Sequence, residues 1–129
     1  MTTYAAVPGP AHIHPFANVV AGDDLIFLSG VAASGDTVEE QVRSTIDTVR
    51  ELLADVQSSL AEVVFYRIVV TDRADVDTVN DVMKELLPEP RPACGILIIG
   101  QLVEPFLKFE LELIAHRGAR LVTPAATAE

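Results

Sequence analysis

Apolar residues recur at intervals of three and four in two stretches of the chain, which is the period of a helix with one buried face. The first stretch predicts a helix over residues 38–56, with Asp36 or Thr37 placed to cap it. The second predicts a helix that begins near Val76 and ends before Pro88, because proline cannot continue a helix. The apolar positions are Val38, Val42, Ile46, Val49, Leu53 and Val56 in the first stretch, and Val76, Val79, Met83, Leu86 and Leu87 in the second.

Between and around these helices the sequence is rich in β-branched and aromatic residues, which favour strands. The first two of these segments flank the turn at residues 22–24 and predict a hairpin. The predicted strands cover residues 17–21, 25–31, 63–71, 93–101 and 107–116.

The order β-β-α-β-α-β-β contains no internal repeat and no linker, so it predicts one α+β domain over residues 1–129. Residues 1–15 are rich in proline and predict an irregular arm, and residues 117–129 predict a loose tail. Two helices can cover only one face of the sheet, yet Ile96 to Ile99 is apolar at every position and requires burial on both sides. An uncovered apolar face is usually an interface, so we expect the chain to associate with copies of itself.

The net charge narrows the choice of partner. Nineteen acidic side chains outnumber nine dispersed basic ones, giving a formal charge of −10 that repels phosphate groups. We therefore expect neither nucleic acid nor a membrane surface as a partner. The N-terminus lacks the layout of a signal peptide and the single cysteine cannot form an internal disulfide, so the cytoplasm is the expected compartment. His12 and His14 could form a metal pair, but two histidines near a terminus are usually incidental, and we expect no metal.

Strict alternation in residues 108–113 places two glutamates, Glu110 and Glu112, on the side of a strand opposite to its apolar residues. In one interpretation the glutamates form a solvent-facing or ion-paired row, with Arg67 as a partner. In the other, at least one of them lies at the wall of a cleft between subunits. Partial burial there would raise its pKa and suit it to proton transfer.

Several short motifs, in this order and spacing, resemble the Rid family, whose members are also called YjgF or endoribonuclease L-PSP proteins. The resemblance runs from about Ile13 to Ala115. The motifs are Ile13-His14-Pro15-Phe16 for the family's I-G-P-Y, Leu25 to Gly30 for its strand ending in Ser-Gly, Glu39-Glu40-Gln41 for the start of its first helix, Val69 to Asp72 with Asp77 to Asn80 for its strand-to-helix segment, Pro92-Ala93 for P-A-R, and Phe109 to Glu112 for I-E-I-E.

The resemblance implies a chorismate-mutase-like α+β fold and a homotrimer in which the sheets form a central β-barrel, with small-molecule sites between subunits. Active members of the family hydrolyse imines and enamines such as 2-aminoacrylate to ketoacids and ammonia, without a cofactor. In them the arginine of P-A-R holds the substrate carboxylate through two hydrogen bonds. A glutamate of I-E-I-E positions or activates water.

Carried over by position, the resemblance gives Glu110 the role of the water-handling glutamate, but Cys94 stands where the arginine is expected. We therefore expect the thiol to face the ligand cleft and carboxylate-dependent substrates to bind poorly, unless Arg91 replaces the missing guanidinium. His14 stands where the family has glycine and could supply a lost polar function. The candidate catalytic residues are Glu110, Cys94 and His14, and the candidate substrate-binding residues are Phe16, Ser29, Gly30, Asn80, Arg91 and Gly95.

Three functions fit these substitutions. The first is a hydrolase or deaminase for an imine, enamine or amide-type metabolite, with Glu110 as general base, His14 as acid and Cys94 as pocket wall or nucleophile. The second is a trimer without turnover that binds a ligand or acts as a chaperone. The third, a nuclease, is suggested by one of the family's names and conflicts with the charge of −10.

Overall fold

A computed structural model describes residues 1–9 and 14–125, where the chain forms a six-stranded sheet and two helices. This confirms the predicted α+β fold, while His12, Ile13 and residues 126–129 of the predicted tail lie outside the described residues. The strands run in the order β1-β2-β3-β6-β4-β5; β4 and β5 pair in parallel and the other neighbours antiparallel. Their bounds are β1 Ala5–Pro8, β2 Ala17–Ala21, β3 Leu25–Val31, β4 Val63–Val70, β5 Ala93–Ile98 and β6 Phe109–His116, and the helices are α1 Val38–Asp55 and α2 Val76–Leu86.

Helix α1 begins at the predicted cap. The Thr37 hydroxyl accepts a hydrogen bond from the Glu40 backbone N–H at 3.1 Å, and the Glu40 carboxylate accepts one from the Asp36 N–H at 2.8 Å. These bonds satisfy N–H groups that have no partner within the helix. Short 3-10 turns, Leu60–Glu62 and Arg73–Asp75, precede β4 and α2.

The core lies between the helices and one face of the sheet. In β6 every second residue is buried, and these residues pack with the apolar side of α1. The connections β3-α1-β4 and β4-α2-β5 place both helices on this side, since such crossovers share one hand. We call it the helix face. The opposite side of the sheet, the open face, carries Phe27, Arg67, Val69, Glu110 and Glu112.

Strand β5 is an edge strand with apolar side chains on both faces. Its register with β4 directs Ile96 and Ile98 to the helix face and Leu97 to the open face. These three side chains are 40%, 50% and 49% exposed. The burial that the sequence requires for them is not supplied within one chain, so self-association stays a prediction.

The two ends of the chain differ from expectation. The irregular arm predicted for residues 1–15 is wrong for Ala5–Pro8, which pairs with β2 and extends the sheet. Pro8 is tolerated because an edge strand need not donate every N–H. The predicted loose tail is wrong at its start, since the Arg117 guanidinium donates to the carbonyls of Gly22 and Val56 at 2.8 and 2.7 Å.

Candidate functional site

The Glu110 carboxyl group lies directly over Gly30 on the open face. A Cβ atom built on Gly30 would be 2.7 Å from Glu110 Oε1, closer than real Cβ atoms approach. The β3–β6 register passes from Leu28–Leu113 to Val31–Leu111, so Ser29 and Gly30 form a bulge opposite a single β6 residue. The strand bend and the missing side chain together make room for the carboxyl group.

Burial raises the pKa of Glu110, and the negative charge of Glu112 raises it further. Glu112 itself forms an ion pair with Arg67, whose Nη1 atom lies 2.8 Å from Oε1. The two interpretations of the alternating strand therefore each describe one glutamate: Glu112 is ion-paired and Glu110 is the half-buried carboxyl group with a raised pKa.

Ser29 connects this site to the start of β2. Its hydroxyl donates to the Ala17 carbonyl at 2.6 Å, so its proton is already engaged. Phe16, the residue before Ala17, is 53% exposed and stacks on the His14 imidazole, with ring centroids 5.0 Å apart. Ser29, Gly30 and Glu110 therefore lie close together, and their role in binding or catalysis stays a prediction. The Ser29–Ala17 hydrogen bond joins them to the start of β2, next to the stacked rings of His14 and Phe16.

Cys94 lies on the other face of the sheet. It is the register partner of Tyr66 and shares the helix face with it, whereas Glu110 is the partner of Val69 on the open face. Gly95 follows on the open face as the partner of Arg67. Within one chain, therefore, the thiol and the Glu110 carboxyl group do not meet.

The thiol is in a poor environment for ionisation. Burial raises the pKa of Cys94, and this effect exceeds the lowering by a hydrogen bond with the Tyr66 hydroxyl. Sequence reasoning did not identify Tyr66. Burial is the main cause that raises the pKa of its hydroxyl group to about 12. Its pairing with Cys94 follows from the parallel register of β4 and β5, which a single strand's pattern does not reveal.

Arg91 does not take the place of the missing guanidinium. Its Nε and Nη2 atoms donate to the Leu87 and Lys84 carbonyls at 2.8 and 3.1 Å, and Nη1 pairs with Glu89 at 2.9 Å. The side chain therefore caps the end of α2, and its substrate-binding role stays a prediction that these bonds do not favour. Asn80 is half-buried on α2, which packs on the helix face, so it lies on the Cys94 side of the sheet.

The described residues contain no cluster of three or more His, Cys, Asp or Glu side chains that could hold a metal ion. In the same part of the chain, no helix has the length and hydropathy needed to cross a membrane.

Comparison with known proteins identifies relatives of this chain. The endoribonuclease L-PSP family model matches residues 8–117. The chain is 38% identical over 109 residues to the protein mmf2, mitochondrial, of Schizosaccharomyces pombe, over 78% of this chain and 86% of that protein. It is 30% identical over 115 residues to the 3-aminoacrylate deaminase RutC of Acinetobacter baylyi, over 83% of this chain and 90% of that protein.

The fold has close solved counterparts. The crystal structure of Rv2704 from Mycobacterium tuberculosis, a member of the YjgF/YER057c/UK114 family, superposes with a TM-score of 0.82 over 88% of this chain and 99% of that chain, at 24% identity. Because the relative from S. pombe is described as mitochondrial, the cytoplasmic location of this chain stays a prediction.

Proposed function

The chain belongs to the endoribonuclease L-PSP family, also known as the YjgF or Rid family, and from this membership we propose that it is a cofactor-independent hydrolase that releases ammonia from an imine, enamine or amide-type metabolite. The relative from A. baylyi named as a 3-aminoacrylate deaminase supports this reaction class. The observation that carries the proposal is the Glu110 carboxyl group, half-buried against Gly30 with its pKa raised by burial. A carboxylate of raised pKa is a stronger base at neutral pH.

In the proposed reaction Glu110 accepts a proton from water while the water oxygen bonds to the carbon of the C=N group. That proton then passes to nitrogen, which gives a carbinolamine. Glu110 next accepts the proton of the new hydroxyl group and nitrogen receives a second proton, so the C–N bond breaks, ammonia leaves and a carbonyl product remains. His14 is the second group proposed to carry a proton, since it is exposed beside Phe16 at the same end of the sheet. Cys94 serves as a pocket wall, because its raised pKa disfavours the thiolate that a nucleophile requires.

The site is proposed to form between subunits of a homotrimer. Cys94 and Glu110 lie on opposite faces of one sheet, so a cleft lined by both requires two copies of the chain. The exposed apolar side chains of β5 favour such an assembly, because burying them against a second copy would remove apolar surface from water.

The substrate is proposed to lack a carboxylate that needs a cationic partner. Arg67 is paired with Glu112, Arg91 caps α2, and Cys94 replaces the family's arginine. A desolvated carboxylate without a charge-assisted partner would bind weakly. Neutral imines, enamines and amides do not carry this requirement.

Ammonia release from freshly generated imines and a panel of amides tests the activity. We expect Glu110→Gln to lower the rate by about 10²–10⁴-fold, the usual contribution of a general base. Glu112→Gln is the matched control, since it alters a carboxylate on the same face of the same strand. The charge of Glu112 is the smaller of the two causes that raise the pKa of Glu110, so this variant should keep most of the activity. Equal rates for Glu110→Gln and the unmodified protein would remove Glu110 from the mechanism.

Cys94→Arg tests the substrate class separately. We expect this variant to gain at least about tenfold in kcat/KM for 2-aminoacrylate, equivalent to about 1.4 kcal/mol, because it restores a two-pronged carboxylate contact. An unchanged preference between neutral and carboxylate-bearing substrates would contradict the proposed role of this position.

The second candidate is a trimer that binds a ligand or acts as a chaperone without turnover. The replacement of the family's arginine by Cys94 favours it, since substrate orientation depends on that contact in active members. Saturable binding of a panel compound with no ammonia released by protein of proven trimeric mass would support this candidate over the hydrolase.

A further inference from the structure

Gln41 is a fully buried polar residue in the first turns of α1, with 0% of its surface exposed. Its side-chain nitrogen donates to the Gly35 carbonyl at 3.1 Å and to the Phe106 carbonyl at 3.0 Å. Its side-chain oxygen accepts from the Lys108 N–H at 2.7 Å. The amide therefore binds three backbone groups from two separate segments of the chain.

Those two segments lead to the two sides of the Glu110 site. Gly35 belongs to the loop that follows β3, the strand that carries Gly30. Lys108 directly precedes β6, and Glu110 is the second residue of that strand. Gln41 thus connects the end of β3 to the beginning of β6, where the Glu110 carboxyl group rests on Gly30.

The sheet itself makes only part of this connection. The β3–β6 pairing ends at Val31 and Leu111, one residue short of Glu110, and is already interrupted by the bulge at Ser29 and Gly30. On its other side Glu110 is the partner of Val69 in β4. Pairing with β4 therefore fixes the position of Glu110 relative to that strand. Its position relative to β3 lies past the last β3–β6 pair, where the Gln41 hydrogen bonds join the two segments.

We propose that Gln41 is a positioning residue that holds the Glu110 carboxyl group over Gly30, and so supports the deaminase reaction proposed above, on which this inference rests. Without the three bonds, the start of β6 and the loop after β3 separate. The carboxyl group then gains water and loses its fixed orientation, and general-base catalysis depends on both.

Gln41→Met tests the proposal because it keeps the volume and removes all three hydrogen bonds. We expect kcat to fall about 10- to 100-fold with KM changed less than about twofold, since the substrate contacts are elsewhere. We also expect the acid limb of the pH–rate profile to move to lower pH, as Glu110 becomes more hydrated. If Gln41→Met does not fold, Gln41→Asn keeps the amide but is one methylene too short to make all three bonds.

Thr45→Val is the matched control. Thr45 lies one turn further along α1, is also 0% exposed, and its hydroxyl is the buried side-chain atom without a hydrogen-bond partner among the described residues. This control should keep kcat and the pH profile of the unmodified protein. If Gln41→Met lowers the melting temperature but leaves kcat and the pH profile unchanged, Gln41 has only a structural role and the proposal is overturned.

A second readout separates this proposal from the proposed function. Titration of the Glu110 carboxyl carbon by NMR, assigned with Glu110→Gln, measures its pKa whether or not the protein is an enzyme. We expect Gln41→Met to lower that pKa towards the ordinary value and Thr45→Val to leave it unchanged. Absence of ammonia release by the unmodified protein would overturn the hydrolase, while an unchanged Glu110 pKa in Gln41→Met would overturn the positioning role.

Discussion

The partly buried environment of Glu110 favours the neutral form of its carboxyl group, so the stability of the folded chain depends on pH through this group. Its pKa is raised by burial, so between the ordinary and the raised value the folded chain binds more protons than the unfolded chain. Stability contributed by this group is therefore greatest below the ordinary pKa and falls as the pH rises through the raised one. We expect Glu110→Gln to lose activity and yet to unfold at a higher temperature than the unmodified protein at about pH 7.

Thermal unfolding at two pH values checks this expectation. The gain in melting temperature should disappear at about pH 4, where the native carboxyl group is largely neutral. Glu112→Gln should show no gain at about pH 7, because it breaks the Arg67 ion pair. A Glu110→Gln variant less stable than the unmodified protein at both pH values would mean that the carboxylate is well solvated.

Although Cys94 is an exposed residue, its thiol is partly desolvated and its pKa is raised, so we expect the thiol to be accessible but to react slowly. Because the thiolate is the reactive species, alkylation by iodoacetamide at about pH 7 should be slower in the folded protein than in the urea-unfolded chain. The pH midpoint of the folded rate should also lie above that of the unfolded chain. A folded rate faster than the unfolded one would restore the nucleophile interpretation.

At the scale of elements, the positively charged Arg91 side chain caps the C-terminal end of α2. Its guanidinium binds the Lys84 and Leu87 carbonyls, which have no partner within α2 and lie at the negative end of the helix dipole. We expect Arg91→Ala to lower the free energy of unfolding by about 1–2 kcal/mol. Ligand affinity and kcat should change little, because the side chain faces the helix.

Urea unfolding measures this loss in the free energy of unfolding, with Arg73→Ala as the control. Arg73 is exposed in the turn before α2 and should contribute little. A large rise in KM for Arg91→Ala with unchanged stability would instead return Arg91 to the binding site.

The helices and most strands could be predicted because their signals are local. The bounds of β3 follow from alternation and from the turn at residues 22–24, and the start of α1 follows from Thr37. Strand β1 could not be predicted because it is extended only through its pairing with β2, and the sequence of a short proline-flanked segment does not indicate such pairing. The face occupied by Cys94 could not be predicted for a related reason: alternation gives the sides within one strand, while the relation between strands depends on register.

At the scale of the whole molecule, the apolar edge strand β5 is a surface that the single chain leaves exposed. Its side chains Ile96, Leu97 and Ile98 are about half exposed in the single chain, on an edge that lacks a neighbouring strand in the described sheet. Such an edge is a template for association with another chain. We expect sedimentation or light scattering to give about three times the 13.9 kDa chain mass.

Leu97→Glu tests whether assembly and function depend on the same surface. A charge at this open-face position of β5 should be strongly unfavourable when buried between copies, so we expect the variant to sediment as a folded monomer. Ammonia release should be lost with the trimer, because the cleft needs Glu110 from one copy and Cys94 from another. Val122→Glu, at an exposed apolar residue outside the sheet, should keep both mass and activity. A monomeric Leu97→Glu that retained full activity would mean that the Glu110 site is complete within one chain, and the proposal of a shared cleft would be wrong.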